Sequence, residues 1–124
     1  YNKIYGLPKQ SNKEIVNEAL EELKYNHRNF TILISHRPDF YKEYDRKNID
    51  LVFTGHAHGG QFNIPPFGPI YAPGQGILPK YAGGMYDLKH TKMIVNRGIG
   101  NSTFPFRLNN RPEIVVVTLK NSYY

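Results

Sequence analysis

The chain contains no cysteine. Disulfides and thiolate metal sites are thereby excluded, so any metal must be held by histidine, aspartate, glutamate, asparagine or backbone oxygen. With no cysteine to read, the compartment stays open. No apolar run approaches the ~18–20 residues of a membrane span, and no secretory signal is visible at the start. The first residue is Tyr1, which fits a processed or truncated product. There is no Walker loop, no Gly-x-Ser-x-Gly elbow around Ser35 and no internal repeat. Lys and Arg number 16 against 10 Asp and Glu, a net charge of +6, yet no run of three adjacent basic residues occurs. The charge favours anionic partners, such as phosphate esters or an anionic membrane surface. Nucleic acid is not expected, because the ten tyrosines fall in no nucleic-acid motif.

What is present fits one domain, or part of a larger one, at 124 residues. Tyr1–Lys9, with Gly6 and Pro8, reads as a connection. Ser11-Asn12-Lys13-Glu14 has the form of a capping box. Ile15, Val16, Ala19, Leu20 and Leu23 follow at helical spacing, predicting a helix from Asn12 to about Tyr25 that packs an apolar face on a sheet. His27 lies just beyond it and reads as structural or solvated.

Phe30–Ile34 is a buried-strand run that ends at Ser35-His36-Arg37-Pro38-Asp39. Pro38 turns the chain and suits the first position of a short helix, with Phe40, Tyr41 and Tyr44 on its apolar face. Leu51-Val52-Phe53 is the next strand, and it runs into Thr54-Gly55-His56-Ala57-His58-Gly59-Gly60-Gln61. A strand–helix–strand unit with so short a crossover predicts parallel neighbours. Both strands then end at one sheet edge, where open α/β sheets place their sites, and His36 faces His56 and His58. Imidazole is the commonest metal ligand among side chains, and the glycines permit close approach of a ligand or another backbone.

Phe62–Gly84 is rich in proline and glycine but carries Phe67, Tyr71 and Tyr81. It reads as a wall or lid beside the histidine turn, or as a loop packed on itself. Tyr86–Leu88 and Met93–Val95 predict a hairpin with solvated His90 at its turn. Gly98 and Gly100 could offer backbone amides to an anion, and Arg107 and Arg111 could attract phosphate. Pro112–Leu119 is β-branched almost throughout and predicts a central strand. Residues 120–124 read as a frayed tail.

Four segments together resemble the calcineurin-like metallophosphoesterases, in the bacterial branch that carries Gly-His-x-His-Gly-Gly-Gln. They are Ile34–Asp39, Thr54–Gln61, Asn96–Gly100 and Arg111–Ile114, and the similarity runs from Ile32 to Leu119. It implies a mixed α/β fold in which residues 1–124 form the C-terminal half of a two-sheet sandwich flanked by helices. The implied activity is hydrolysis of phosphate mono- or diesters by water activated between two divalent metals, manganese, iron or zinc. His36 and His56 would ligate one metal and His58 the other. The family's Asp-x-His, Gly-Asp-x-x-Asp and Gly-Asn-His-Asp/Glu motifs belong upstream of His36, where no aspartate occurs. The bridging aspartate, the asparagine ligand and the histidine that assists the leaving group are therefore expected outside this chain. It should have little or no activity alone and should need a missing N-terminal half or another chain. Half a sandwich also leaves apolar sheet surface uncovered, which predicts self-association. Two other readings compete: a non-catalytic binding or scaffold domain, and a mononuclear three-histidine zinc hydrolase.

Overall fold

Ser11 opens the first helix. Its hydroxyl accepts the Glu14 amide at 3.3 Å, and the Glu14 carboxylate accepts the Ser11 amide at 2.7 Å, completing the capping box. The computed structural model describes residues 11–102 and 105–121. The predicted connection Tyr1–Lys9 and the end of the predicted tail lie outside those residues. Helix α1 spans Asn12–Glu22 and stops before the expected Tyr25. Tyr25 is drawn off the helix because its hydroxyl donates to the Lys47 carbonyl at 2.7 Å. The apolar face is also narrower than the spacing predicts. Leu20 is buried and Val16 packs on the core, but Ile15 and Leu23 stay exposed.

Strands β1 (Ile32–Ile34) and β2 (Leu51–Thr54) are parallel, with Leu33 opposite Val52. Between them come a 3₁₀ turn, Pro38–Phe40, and helix α2, Tyr41–Arg46. The Phe62–Gly84 segment is ordered as two small antiparallel pairs. One joins β3 (Asn63–Ile64) to β4 (Gly68–Pro69), the other β5 (Tyr71–Ala72) to β6 (Gly76–Ile77). The predicted hairpin is formed by β7 (Gly84–Asp87) and β8 (Lys92–Val95). Strand β8 also pairs parallel to β2, giving a mixed sheet of order β1-β2-β8-β7. This is a mixed α/β architecture, consistent with part of a calcineurin-like fold. Among the described residues no helix is long and apolar enough to cross a membrane.

Alternation along the strands sorts the sheet into two faces. Leu33, Val52, Met93 and Tyr86 form one row across it. This row meets Phe40, Tyr44, Ile49 and Leu20 in the core, where Val52 and Met93 are fully buried. The adjacent row is Ile34, Phe53, Ile94 and Met85, on the opposite face. Ile34 is 84% exposed and Met85 65% exposed, while Ile94 between them is buried, so this second face is open at its two edge strands.

Pro112–Leu119 corrects the sequence expectation. It forms no strand, and Ile114 and Val116 are 80% and 87% exposed. Its β-branched composition suits a strand, but a strand requires a neighbour's hydrogen-bonding edge. Here Val115 instead lines a groove with Ile34, Phe53 and Ile94 on the open face.

Candidate functional site

Three parallel strands discharge their C-terminal ends at one edge. Strand β1 delivers His36, β2 delivers His56 and His58, and β8 delivers Asn96 and Arg97. The ends are stitched by backbone bonds: Gly55 N–H to the His36 carbonyl at 3.1 Å and Asn96 N–H to the Thr54 carbonyl at 2.8 Å. Ala57 is fully buried between the two histidines and anchors the turn, while both imidazoles remain partly accessible. His56 and His58 both take positive φ, 60° and 47°. Such backbone is uncommon for a residue with a Cβ and clusters at functional sites.

His36 and His56 meet as the parallel register requires. His36 Nε2 lies 3.1 Å from His56 Nδ1, with ring centroids 4.8 Å apart. One ring donates and the other presents a lone pair. Burial, then the neighbouring His36 and Arg37, holds the His56 pKa below the ordinary imidazole value, with Asp39 partly opposing. Arg37 forms a bidentate pair with Asp39, at 3.1 and 2.7 Å, and its guanidinium lies 4.9 Å over the Phe40 ring.

The turn before His36 is held from beneath by Tyr44. This ring is 1% exposed, and its hydroxyl shares a 2.7 Å hydrogen bond with Ser35 Oγ and donates to the Arg37 carbonyl at 2.7 Å. Burial pushes its phenol pKa up. Tyr44→Phe is expected to cost about 1–2 kcal/mol, because the partly buried Arg37 carbonyl loses its donor. Urea denaturation measures the loss, and broadened His36 signals in NMR spectra should accompany it.

His58 sits apart from this pair. Its Nδ1 lies 3.4 Å from Arg107 Nη2, which can only donate, so that ring nitrogen faces the cation with its lone pair. Burial, then Arg107, lowers the His58 pKa, opposed by the Gly100 backbone. Arg107 Nη2 also donates to the carbonyls of Arg97, at 3.0 Å, and Gly100. Its Nε and Nη1 are buried and have no hydrogen-bond partner among the described residues. The Gly98 amide donates to Asn96 Oδ1 at 2.6 Å, and Gly100 contributes its carbonyl to Arg107. Arg111 is exposed, as are His27 and His90. Among the described residues no group of three histidine, aspartate or glutamate side chains is placed to hold one metal ion.

The chain is 41% identical over 93 residues to the "uncharacterized metallophosphoesterase YkuE" of Bacillus subtilis, covering 75% of this chain and 32% of that protein. It is 32% identical over 88 residues to the "phosphodiesterase YaeI" of Escherichia coli, covering 71% and 32%. The chain belongs to the calcineurin-like metallophosphoesterase family. A metallophosphoesterase of Aquifex aeolicus is 33% identical over 110 residues, 86% of this chain and 39% of that protein. The chain thus spans about a third of the length of the curated relatives it matches. No family model matches it, and no solved structure matches it.

Within this metallophosphoesterase segment, several residues that shape the site carry no periodic signal in the sequence. The Gly59-Gly60 pair yields space to protein atoms. A Cβ on Gly59 would lie 2.7 Å from Asn110 Cγ and 2.8 Å from Arg97 Cδ, and one on Gly60 would lie 2.9 Å from Pro69 Cα. The β3–β4 pair is therefore a wall against the histidine turn, as the proline-rich segment suggested. Arg97, packed on Gly59, pairs with Glu113 at 2.9 Å, and this pairing holds the Glu113 pKa below the ordinary carboxylate value. Only the fold joins the Asn96-Arg97-Gly98 and Arg111-Pro112-Glu113 segments.

Proposed function

We propose that this chain supplies the histidine portion of a two-metal phosphoesterase centre, with His36 and His56 holding one divalent cation and His58 the other. One observation carries the reading: two imidazole nitrogens face each other at 3.1 Å at the ends of adjacent parallel strands. Two nitrogens each about 2.1 Å from one cation stand about 3.0 Å apart at a right angle and about 3.4 Å apart at a tetrahedral angle. The pair therefore fits two neighbouring ligand positions on one ion. The burial that disfavours protonated His56 and His58 supports the same reading, since the neutral imidazole is the ligating form.

When bound, divalent cations would neutralise charge on a phosphate ester and acidify water. Manganese, iron and zinc all suit imidazole. Arg107 is the proposed phosphate contact. Its buried Nε and Nη1 are donors that lack an acceptor among the described residues, and a phosphoryl oxygen would supply one. The remaining ligands, carboxylates above all, come from sequence outside this chain. The same additional chain covers the open sheet face at Ile34 and Met85. The mononuclear three-histidine reading is disfavoured by the turn of His58 away from the other two toward Arg107.

The test is hydrolysis of a chromogenic phosphodiester with added manganese. The isolated chain is expected to show little or no turnover. The longer protein is expected to be active, and His56→Ala within it should lower turnover by more than about a hundredfold, since even residues that merely support a ligand cost 10–100-fold. Manganese-dependent turnover by the isolated chain, abolished by His56→Ala, would overturn the division of ligands proposed here. Full activity of the His56→Ala longer protein would overturn the metal role.

A further inference from the structure

We propose that Asn110 is a positioning residue for His58, fixing both the backbone that presents its imidazole and the docking of Arg107 beside it. Asn110 is only 3% exposed. Its Nδ2 donates to the His58 carbonyl at 2.5 Å and to the Gln61 carbonyl at 3.3 Å. These two carbonyls bracket a run of four residues at positive φ: His58 at 47°, Gly59 at 67°, Gly60 at 76° and Gln61 at 60°. Two of the four carry a Cβ and adopt this backbone only under external constraint. The side-chain amide supplies that constraint by tying both ends of the run to one group.

The orientation of the amide follows from its surroundings. The opposite assignment would press Oδ1 against two carbonyl oxygens, acceptor on acceptor. As placed, Oδ1 has no hydrogen-bond partner among the described residues and occupies the space where a Cβ on Gly59 would stand. An orphaned buried oxygen is costly, and its retention here goes with the two bonds made by the other end of the amide. The absence of a side chain at Gly59 is thus the complement of Asn110.

The same clamp sets the register of its own segment. Leu108 bridges Phe62 in parallel, its carbonyl accepts the Asn63 amide at 2.9 Å, and Asn109 Nδ2 donates to the Asn63 carbonyl at 3.2 Å. Beyond Asn110, Glu113 pairs with Arg97. Arg107 lies three positions before Asn110, and this fixed register brings its guanidinium to His58 Nδ1.

The inference rests on the reading of His58 as a ligand only for its chemical consequence, and the experiment separates the two. NMR spectra of the full chain are recorded without metal for the wild type, Asn110→Ala and Asn110→Asp; the aspartate keeps the volume but cannot donate to the two carbonyls. In the wild type, the Asn110 Nδ2 protons are expected to exchange with solvent at least about tenfold more slowly than those of a free side-chain amide. In both variants the His58 backbone coupling is expected to leave its positive-φ value, while the His36 and His56 ring signals stay in place and the melt remains cooperative. Zinc is then added as the probe. Its affinity at the His58 ring should fall about 10–100-fold in the variants and be unchanged at His36. Freely exchanging Asn110 amide protons in the wild type, or an unmoved His58 backbone in Asn110→Asp, would overturn the proposal, and the first readout needs no variant to fold. A His58 backbone that moves in the variants but a ring that ignores zinc in the wild type supports the positioning role and refutes the ligand reading.

Discussion

Replacing His56 with alanine is expected to weaken manganese and zinc binding at the His36–His56 pair by more than about a hundredfold in a calorimetric titration. His56 Nδ1 and His36 Nε2 are the two closest ring nitrogens at the shared strand edge, 3.1 Å apart. Removing one leaves a single exposed imidazole. Loss of a supporting group already costs 10–100-fold in affinity, and a direct ligand should cost more. The pH dependence has a definite sign. The folded His56 and His58 hold protons less tightly than free imidazole. Protons therefore compete weakly at neutral pH, and binding should persist down through the ordinary histidine value and fail as pH falls through the lowered one. The metal-free chain follows the same direction: the unfolded state takes up these protons first, so stability declines as pH falls from about 6.5 toward the folded pKa values. Tight binding lost in His56→Ala would mean that the pair is preassembled without the other ligands. No heat in the wild type would mean that the pair needs those ligands to hold a cation.

Gly60→Ala is expected to destabilise the chain by about 2–5 kcal/mol, read by chemical denaturation. The contributions separate. Gly60 has φ 76°, a conformation that costs an L-residue about 1–2 kcal/mol. The added Cβ would also stand 2.9 Å from Pro69 Cα, and this obstacle is the backbone of β4, held by its pairing with β3. Moving it is an overpacking cost of about 1–3 kcal/mol. Gly68→Ala is the control. Gly68 has φ 80° but no atom of the described residues within 4 Å of an added Cβ, so it should lose only the conformational share. Equal losses at the two positions would mean that the wall is not packed as described. Because Gly60 closes the histidine turn, Gly60→Ala should also weaken zinc binding at His58 more than at His36.

The local features of this chain could be read from its residues because their physics is local. The Ser11–Glu14 capping box needs only four consecutive residues. Strands β1 and β2 announce themselves as apolar runs, and the short crossover through Pro38 makes them parallel. Parallel pairing alone then places His36 beside His56. The sequence by itself also determined that this chain supplies no thiolate ligand. Tertiary structure decided the rest. Pro112–Leu119 has the composition of a strand, yet hydrogen-bond pairing depends on a partner edge that no propensity specifies. His58 and His56 stand two residues apart, yet one meets Arg107 and the other His36, contacts that depend on segments distant in sequence. Asn110 reaches His58 across 52 positions. Such a contact follows from buried carbonyls that require a donor, a demand that exists only once the chain has folded around them.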